Sequence, residues 1–179
     1  MGLQDDVARI LIPEARLQAR IAELAEEITA AYATASTPPL LICILKGAFI
    51  FLADLVRHLD MRIEVDFMEI SSYGAGTTSS GIVRILLDLE QNVEGRHVLI
   101  VEDIVDSGRT LDYIIRNLQT RAPASLRVCT LLSKPARREI DVPLDFVGFE
   151  VPNEFVAGYG LDFAEKYRNL PFVGILRET

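Results

Sequence analysis

Continuous apolar runs alternate with helical patterns along this chain, and that alternation leaves few architectures open to it. Leu40–Leu45 contains no polar residue, and neither does the run 98–101. A third run, 126–132, is apolar apart from Arg127 and Thr130. Runs of this length read as strands covered on both faces. The first is followed by a helical pattern over about 48–59, the second by one with apolar residues at Leu111, Ile114, Ile115 and Leu118. A longer helix is predicted ahead of them, where Leu17, Ile21, Leu24, Ile28 and Tyr32 recur at helical spacing behind Pro13 and Glu14. Proline suits a first turn because its missing N–H is not needed there. Segments 63–70 and 82–88 add strands. The expected fold is α/β, a mainly parallel twisted sheet flanked by helices, in a single domain over residues 1–179. In such sheets ligands gather at the carboxyl ends of the strands.

Chemistry concentrates where the run 98–101 ends. The chain passes into Glu102 and Asp103, then Asp106, then Ser107-Gly108-Arg109-Thr110 at the start of a helical pattern. A strand that enters a small hydroxyl-rich loop and then a helix aims backbone N–H groups at an anion. The helix start adds roughly half a positive charge there. Asp106 and Ser107 could serve merely as helix caps. Capping does not account for three carboxylates within five positions, which call for a cation or ligand hydroxyls beside them. The combination points to a ribose phosphate with magnesium. Consecutive strand residues face opposite ways, so Glu102 and Asp103 can serve one site only if the chain bends out of the sheet.

The segment 102–110 resembles the phosphoribosyl-pyrophosphate motif of the type I phosphoribosyltransferases: two acidic residues, two apolar, then Asp-Ser/Thr-Gly-x-Thr. Leu45-Lys46-Gly47, Ser133-Lys134-Pro135 and the stretch 145–162 are similar to the hypoxanthine-guanine members of that family, and the likeness runs over about 12–176. It implies the type I phosphoribosyltransferase fold, with a small hood formed by the chain ends. It also implies transfer of the 5-phosphoribosyl group from phosphoribosyl pyrophosphate to N9 of hypoxanthine or guanine, giving IMP or GMP plus pyrophosphate in purine salvage. The resemblance assigns Glu102 and Asp103 to the ribose hydroxyls or their Mg2+, with Asp162 as a further metal and base-site contact. Asp106, Ser107, Gly108, Arg109 and Thr110 would grip the 5′-phosphate, and Asp106 would take the N7 proton as general base. Lys46 and Gly47 would contact pyrophosphate at a turn with a cis peptide, helped by Arg168. In the base-binding segment, about 145–170, Phe155 would stack on the purine and the Val156 backbone would pair with its edge. Lys134 would donate to the 6-oxo group.

An ammonium supplies only donors, so Lys134 favours a carbonyl over an amino group and an oxopurine over adenine. One lysine and one aromatic stack accept hypoxanthine, guanine and xanthine alike, and the sequence does not rank them. Residues 71–81, rich in glycine and hydroxyls, are predicted to form a mobile loop. A loop of that length in a compact domain more often acts as a lid. In the family the lid begins at the positions of Ser72 and Tyr73.

Several classes are excluded. The formal charge of −8 argues against a nucleic-acid-binding surface. No apolar run approaches the ~20 residues needed to cross a bilayer, and the first residues lack a signal-peptide pattern, so the cytoplasm is expected. No Gly-x-x-x-x-Gly-Lys-Ser/Thr or Gly-x-Gly-x-x-Gly pattern occurs. Cys43 and Cys129 sit in apolar runs and read as core residues; His58 and His97 stand alone, so neither a zinc site nor a triad is expected. The expected partners are phosphoribosyl pyrophosphate and 6-oxopurine bases, with no nucleic acid and no membrane. The family's assemblies imply a homodimer or homotetramer. Two other readings stay open: a sister phosphoribosyltransferase for xanthine or another base, and an RNA-binding pyrimidine-operon attenuator of the same fold.

Overall fold

Strand residues alternate between two apolar layers, and the main sheet is built on that alternation. The computed structural model describes residues 2–72 and 83–177. Six strands form the main sheet: β2 (Leu40–Leu45), β3 (Glu64–Ser72), β4 (Val83–Leu87), β5 (His97–Val105), β6 (Ser125–Ser133) and β7 (Phe146–Glu150), in the order β4-β3-β2-β5-β6-β7. All neighbours run parallel except the edge strand β4, which pairs antiparallel with β3. The expected mainly parallel sheet is therefore present.

Along β2, Leu41 and Cys43 face a core shared with α1 (Glu14–Ala31) and α2 (Phe49–His58). Leu40, Ile42 and Ile44 face a second core, shared with α3 (Arg109–Gln119). Successive strand side chains point to opposite faces, so strands coated by helices on both sides must be apolar at every position. On α1, Leu17, Ile21, Leu24 and Ile28 are fully buried, each contributing about 1.5–3 kcal/mol through apolar burial. Pro13 stands just before the first helical residue. Cys43 and Cys129 are free and buried; burial pushes the Cys43 thiol up to about 12. His97 shares a hydrogen bond with Ser125 Oγ at 2.8 Å, and so has a structural partner at the start of β5.

A smaller antiparallel pair, β1 (Val7–Ile12) with β8 (Val173–Leu176), joins the two chain ends. The segment after β7 packs on it, through the bridge between Ala157 and Gly174. One boundary differs from expectation. The loop predicted from Ser71 begins later, because Ser71 and Ser72 pair with Arg84 and Val83 and carry β3 onward. The remainder of the proposed lid, Tyr73 included, lies outside the described residues. Among those described, no helix is long and apolar enough to cross a membrane.

Candidate active site

Strand β5 brings the acidic pair to the carboxyl end of the sheet, where its pairing becomes irregular. It keeps one register with β6 from His97 opposite Ser125 to Val105 opposite Ser133, but the pair at Asp103 is missing. Its pairing with β2 stops at Val101. The strand thus frees its β2 edge at Glu102 and Asp103 and lacks a β6 pair at Asp103, while Glu102, Ile104 and Val105 keep theirs. Their carboxyl groups still reach each other. Burial, then the Asp103 charge, pushes Glu102 well above the carboxylate range. Asp103 is raised too, chiefly by burial, although the Ile104 N–H, 2.7 Å from Oδ1, and the Arg168 charge oppose this. On the freed side lies the turn from β2 to α2, where the Leu45–Lys46 peptide is cis as expected.

Beyond Val105 the chain forms a pocket of about 90 Å³, lined by Glu102, Ile104, Val105, Asp106, Ser107, Gly108, Thr110 and Leu111. The N-cap of helix α3 is Gly108 at φ 87°, and Ser107 Oγ accepts from the Arg109 N–H at 3.4 Å. Ser107 therefore makes a long contact with the helix start, and Asp106 is not the N-cap residue. A Cβ at Gly108 would stand 2.5 Å from the Ile140 carbonyl oxygen, so only glycine fits that approach. The loop is clamped from behind. The N–H groups of Glu139 and Ile140 donate to the Ser107 carbonyl at 2.9 and 3.0 Å. Arg138 Nε donates to the Asp106 carbonyl at 3.1 Å and its Nη2 to Ser133 Oγ at 2.9 Å. Arg109 turns away from the pocket to Glu139, with 2.7 Å from Nε to Oε2.

Asp106 carries an unusual acceptor. Its Oδ1 is shielded from solvent and accepts no hydrogen bond among the described residues. Arg137 Nε stands 2.9 Å away, close enough for an ion pair yet off the line that a hydrogen bond requires. Lys134 is 6 % exposed; burial holds its ammonium below the usual lysine range, against the pull of Asp106 and with a push from Arg137.

The hood supplies the remaining candidates. Phe155 is 58 % exposed, with the Phe163 ring edge-on at 5.5 Å, while Val156 is buried. Both rings line a cavity of about 860 Å³ together with Asp6, Glu154, Tyr167, Ile175, Leu176 and Arg177. Lys134 and Asp106 are not among its lining residues. Arg168 Nη2 pairs with Asp162 Oδ1 at 3.1 Å and with Glu165 Oε1 at 3.3 Å. Lys46 Nζ meets the other Glu165 oxygen at 3.0 Å. Among the described residues no three acidic, cysteine or histidine side chains converge into a metal-binding group. Asp162 therefore does not join Glu102 and Asp103 in one cluster; Arg168 and the Glu165 N–H, 2.9 Å from its Oδ2, hold it instead. Sequence reasoning missed Arg137, Arg138 and Glu165. The adjacent arginines just after Lys134-Pro135 were the available signal for two of them.

The model of the phosphoribosyl transferase domain matches residues 11–164. The hypoxanthine-guanine phosphoribosyltransferase of Bacillus subtilis is 50% identical over 98% of this chain and 96% of its own length. The hypoxanthine phosphoribosyltransferase of Salmonella typhimurium is 52% identical, covering 92% of this chain and 93% of that protein. A crystal structure of a hypoxanthine phosphoribosyltransferase from Staphylococcus aureus superposes with a TM-score of 0.92 at 42% identity, over 98% of this chain and 94% of the other.

Proposed function

The chain belongs to the phosphoribosyl transferase family, and from that premise we propose that it transfers the 5-phosphoribosyl group from phosphoribosyl pyrophosphate to N9 of hypoxanthine or guanine. The products are IMP or GMP and pyrophosphate, the chemistry of purine salvage. Relatives at half identity over nearly the whole chain support the activity. The observation that carries the mechanism is Asp106 Oδ1, a shielded acceptor with no hydrogen bond at the lip of an anion-binding loop.

In this reading N9 attacks C1′ of the ribose, the bond from C1′ to the pyrophosphate oxygen breaks, and its electron pair leaves with pyrophosphate. The proton on N7 passes to Asp106. A positioned group of this kind contributes about 10²–10⁴-fold in rate. Ser107, Gly108 and Thr110 with the start of α3 take the 5′-phosphate through backbone and hydroxyl donors; Arg109 reaches it only by leaving Glu139. Lys46, Gly47 and Arg168 serve the pyrophosphate. Phe155 and Val156 take the purine face and edge, Asp162 closes the base site, and Lys134 reads the 6-oxo group. Ser72 and Tyr73 open the lid.

Glu102 and Asp103 fit a magnesium ion. They are hard oxygen donors whose burial disfavours their charge, and Mg2+ commonly uses one or two carboxylates plus substrate oxygens. When bound, the ion neutralises charge on the leaving pyrophosphate. We extend the proposal to a cytoplasmic homodimer or homotetramer. Phe67, Leu86 and Leu87, exposed on β3 and β4, support association; light scattering of the purified protein tests it.

The deciding assay offers phosphoribosyl pyrophosphate and magnesium with hypoxanthine, guanine, xanthine and adenine in parallel. Nucleotide from the 6-oxopurines alone is expected. Product only from adenine overturns the Lys134 assignment, and none from any base with folded protein turns the reading toward RNA binding.

A further inference from the structure

Three successive residues of the hood, Gly158, Tyr159 and Gly160, hold positive φ angles of 100°, 52° and 99°. Glycine takes such angles freely, whereas a bulky side chain keeps one only where its surroundings enforce it. Tyr159 is 3 % exposed, and its hydroxyl donates to Asp54 on α2. We propose that Tyr159 is a positioning residue for pyrophosphate, fixing the Lys46–Gly47 turn and Arg168 through this left-handed run. The proposal rests on the reading of Lys46, Gly47 and Arg168 as the pyrophosphate site.

The run touches that site at two points. A Cβ on Gly160 would stand 2.2 Å from the Gly47 carbonyl oxygen, so the backbone of the run lies directly on the turn. The Gly160 carbonyl accepts from Arg168 Nη1 at 2.8 Å, and the Gly160 N–H donates to the Arg168 carbonyl at 2.9 Å. One residue therefore sets the turn and the guanidinium together. Gly47 has no slack on its other side, where Asp103 packs against it. A displaced run must either push the turn or part from it.

Tyr159 ties the run to α2 as well as to the hood. Its N–H donates to the Leu170 carbonyl at 2.8 Å, a bond within the hood. Its hydroxyl crosses to Asp54, which Gln18 Nε2 on α1 and Arg57 on α2 also contact. A bond to a carboxylate holds its geometry more firmly than one between neutral groups. Helix α2 starts at Phe49, just after the turn, and the Phe49 N–H donates back to the Lys46 carbonyl at 3.3 Å. Asp54 thus stands on the same helix that carries the turn. The run is tied to that helix at Tyr159 and pressed on the turn at Gly160, and a site held from a rigid element in this way keeps its shape before substrate arrives.

The test compares wild type, Tyr159→Phe, Asp54→Ala and the double variant in steady-state kinetics with hypoxanthine. Tyr159→Phe keeps the buried ring and removes only the hydroxyl. KM for phosphoribosyl pyrophosphate and the inhibition constant for pyrophosphate should both rise about three- to tenfold, less than the ~100-fold that misplacement by about 1 Å can cause. KM for hypoxanthine should hold. Asp54→Ala should shift the same two constants, and the double variant should be no worse than the poorer single one, since both remove one bond. A variant that is only less stable loses active protein, which lowers the maximal rate and leaves every KM unchanged. That result overturns the proposal. Equal rises in the two substrate constants overturn it as well, and so does full additivity in the double variant. If Tyr159→Phe does not fold, Asp54→Ala carries the test on the same constants from outside the hood. Wild-type protein that forms no nucleotide refutes the parent reading instead, and the two failures are distinct.

Discussion

Gly47 lies against Asp103 so closely that a Cβ on the glycine would stand 1.6 Å from the carboxylate Oδ2. The turn after β2 and the acidic pair on β5 therefore form one surface, with no side chain between them. Gly47→Ala must displace either the turn or a carboxylate. We expect KM for phosphoribosyl pyrophosphate to rise at least about tenfold, matching the ~100-fold losses that misplacement of about 1 Å can cause. KM for hypoxanthine should change less. Steady-state kinetics on both substrates check this, and equal changes in the two constants would reject it.

Glu165 bridges the two cations assigned to pyrophosphate, at 3.0 Å from Lys46 Nζ and 3.3 Å from Arg168 Nη2. The Lys46 hydrogen bond and charge hold its carboxyl below the usual range. It is an anion where the substrate's anion is expected to bind, so binding must displace it. Glu165→Gln should lower KM for phosphoribosyl pyrophosphate severalfold at most, because exposed pairs of this kind are weak and screened by solvent. Product inhibition by pyrophosphate should tighten by the same factor. A raised KM would mean that the carboxylate aligns the cations instead.

The parts legible in the sequence are those whose cause is local or periodic. Runs such as Leu40–Leu45 announced strands buried on both faces because both faces are indeed coated. The loop 105–110 was legible because its chemistry is packed into consecutive residues. Strands β1 and β8 were not, since Val7 and Leu176 pair from opposite chain ends and neither short run carries a period of its own. The hood came from resemblance alone. Arg137 and Glu165 escaped because a single surface charge gains meaning only from its neighbour, and Asp106 is 31 positions from the one while Lys46 is 119 from the other. Where β5 loses β2 was not legible either: the pairing stops at Val101 although β2 runs on to Leu45 beside β3.

The Tyr159 hydroxyl donates to Asp54, which also accepts from Gln18 Nε2 at 2.9 Å and pairs with Arg57. This joins α1, α2 and the hood behind the pyrophosphate turn. Burial raises the Asp54 carboxyl, but the bonds from Tyr159, Gln18 and Arg57 outweigh it and leave the group below its ordinary range. A depressed carboxylate stabilises the fold above its unfolded pKa of about 3.9 and loses that effect as pH falls through the lower folded value. Tyr159→Phe should cost about 1–2 kcal/mol at pH 7, a Tm drop of about 2–8 °C. The deficit of Asp54→Asn should be present at pH 7 and close below about pH 4. A deficit of constant size down to pH 3 would remove Asp54 ionisation from the account.

Glu102 has the opposite sign. Burial, then the neighbouring Asp103 charge, raises its folded pKa, so the native state holds protons that the unfolded chain has released. Stability from this group therefore falls as pH rises from about 4.3, the unfolded value. Function needs the carboxylate, while the fold is better off without its charge. Glu102→Gln keeps the shape and removes the ionisation. Its Tm at pH 7 should exceed that of wild type by about 2–4 °C for each kcal/mol relieved, while its activity falls as the ribose and magnesium contacts weaken. Near pH 4 the two Tm values should converge, because the unfolded wild-type chain then carries the proton as well. Calorimetry at pH 4, 5.5 and 7 follows the gap directly. A variant less stable than wild type at pH 7 would mean that the Glu102 charge has a stabilising partner in the fold.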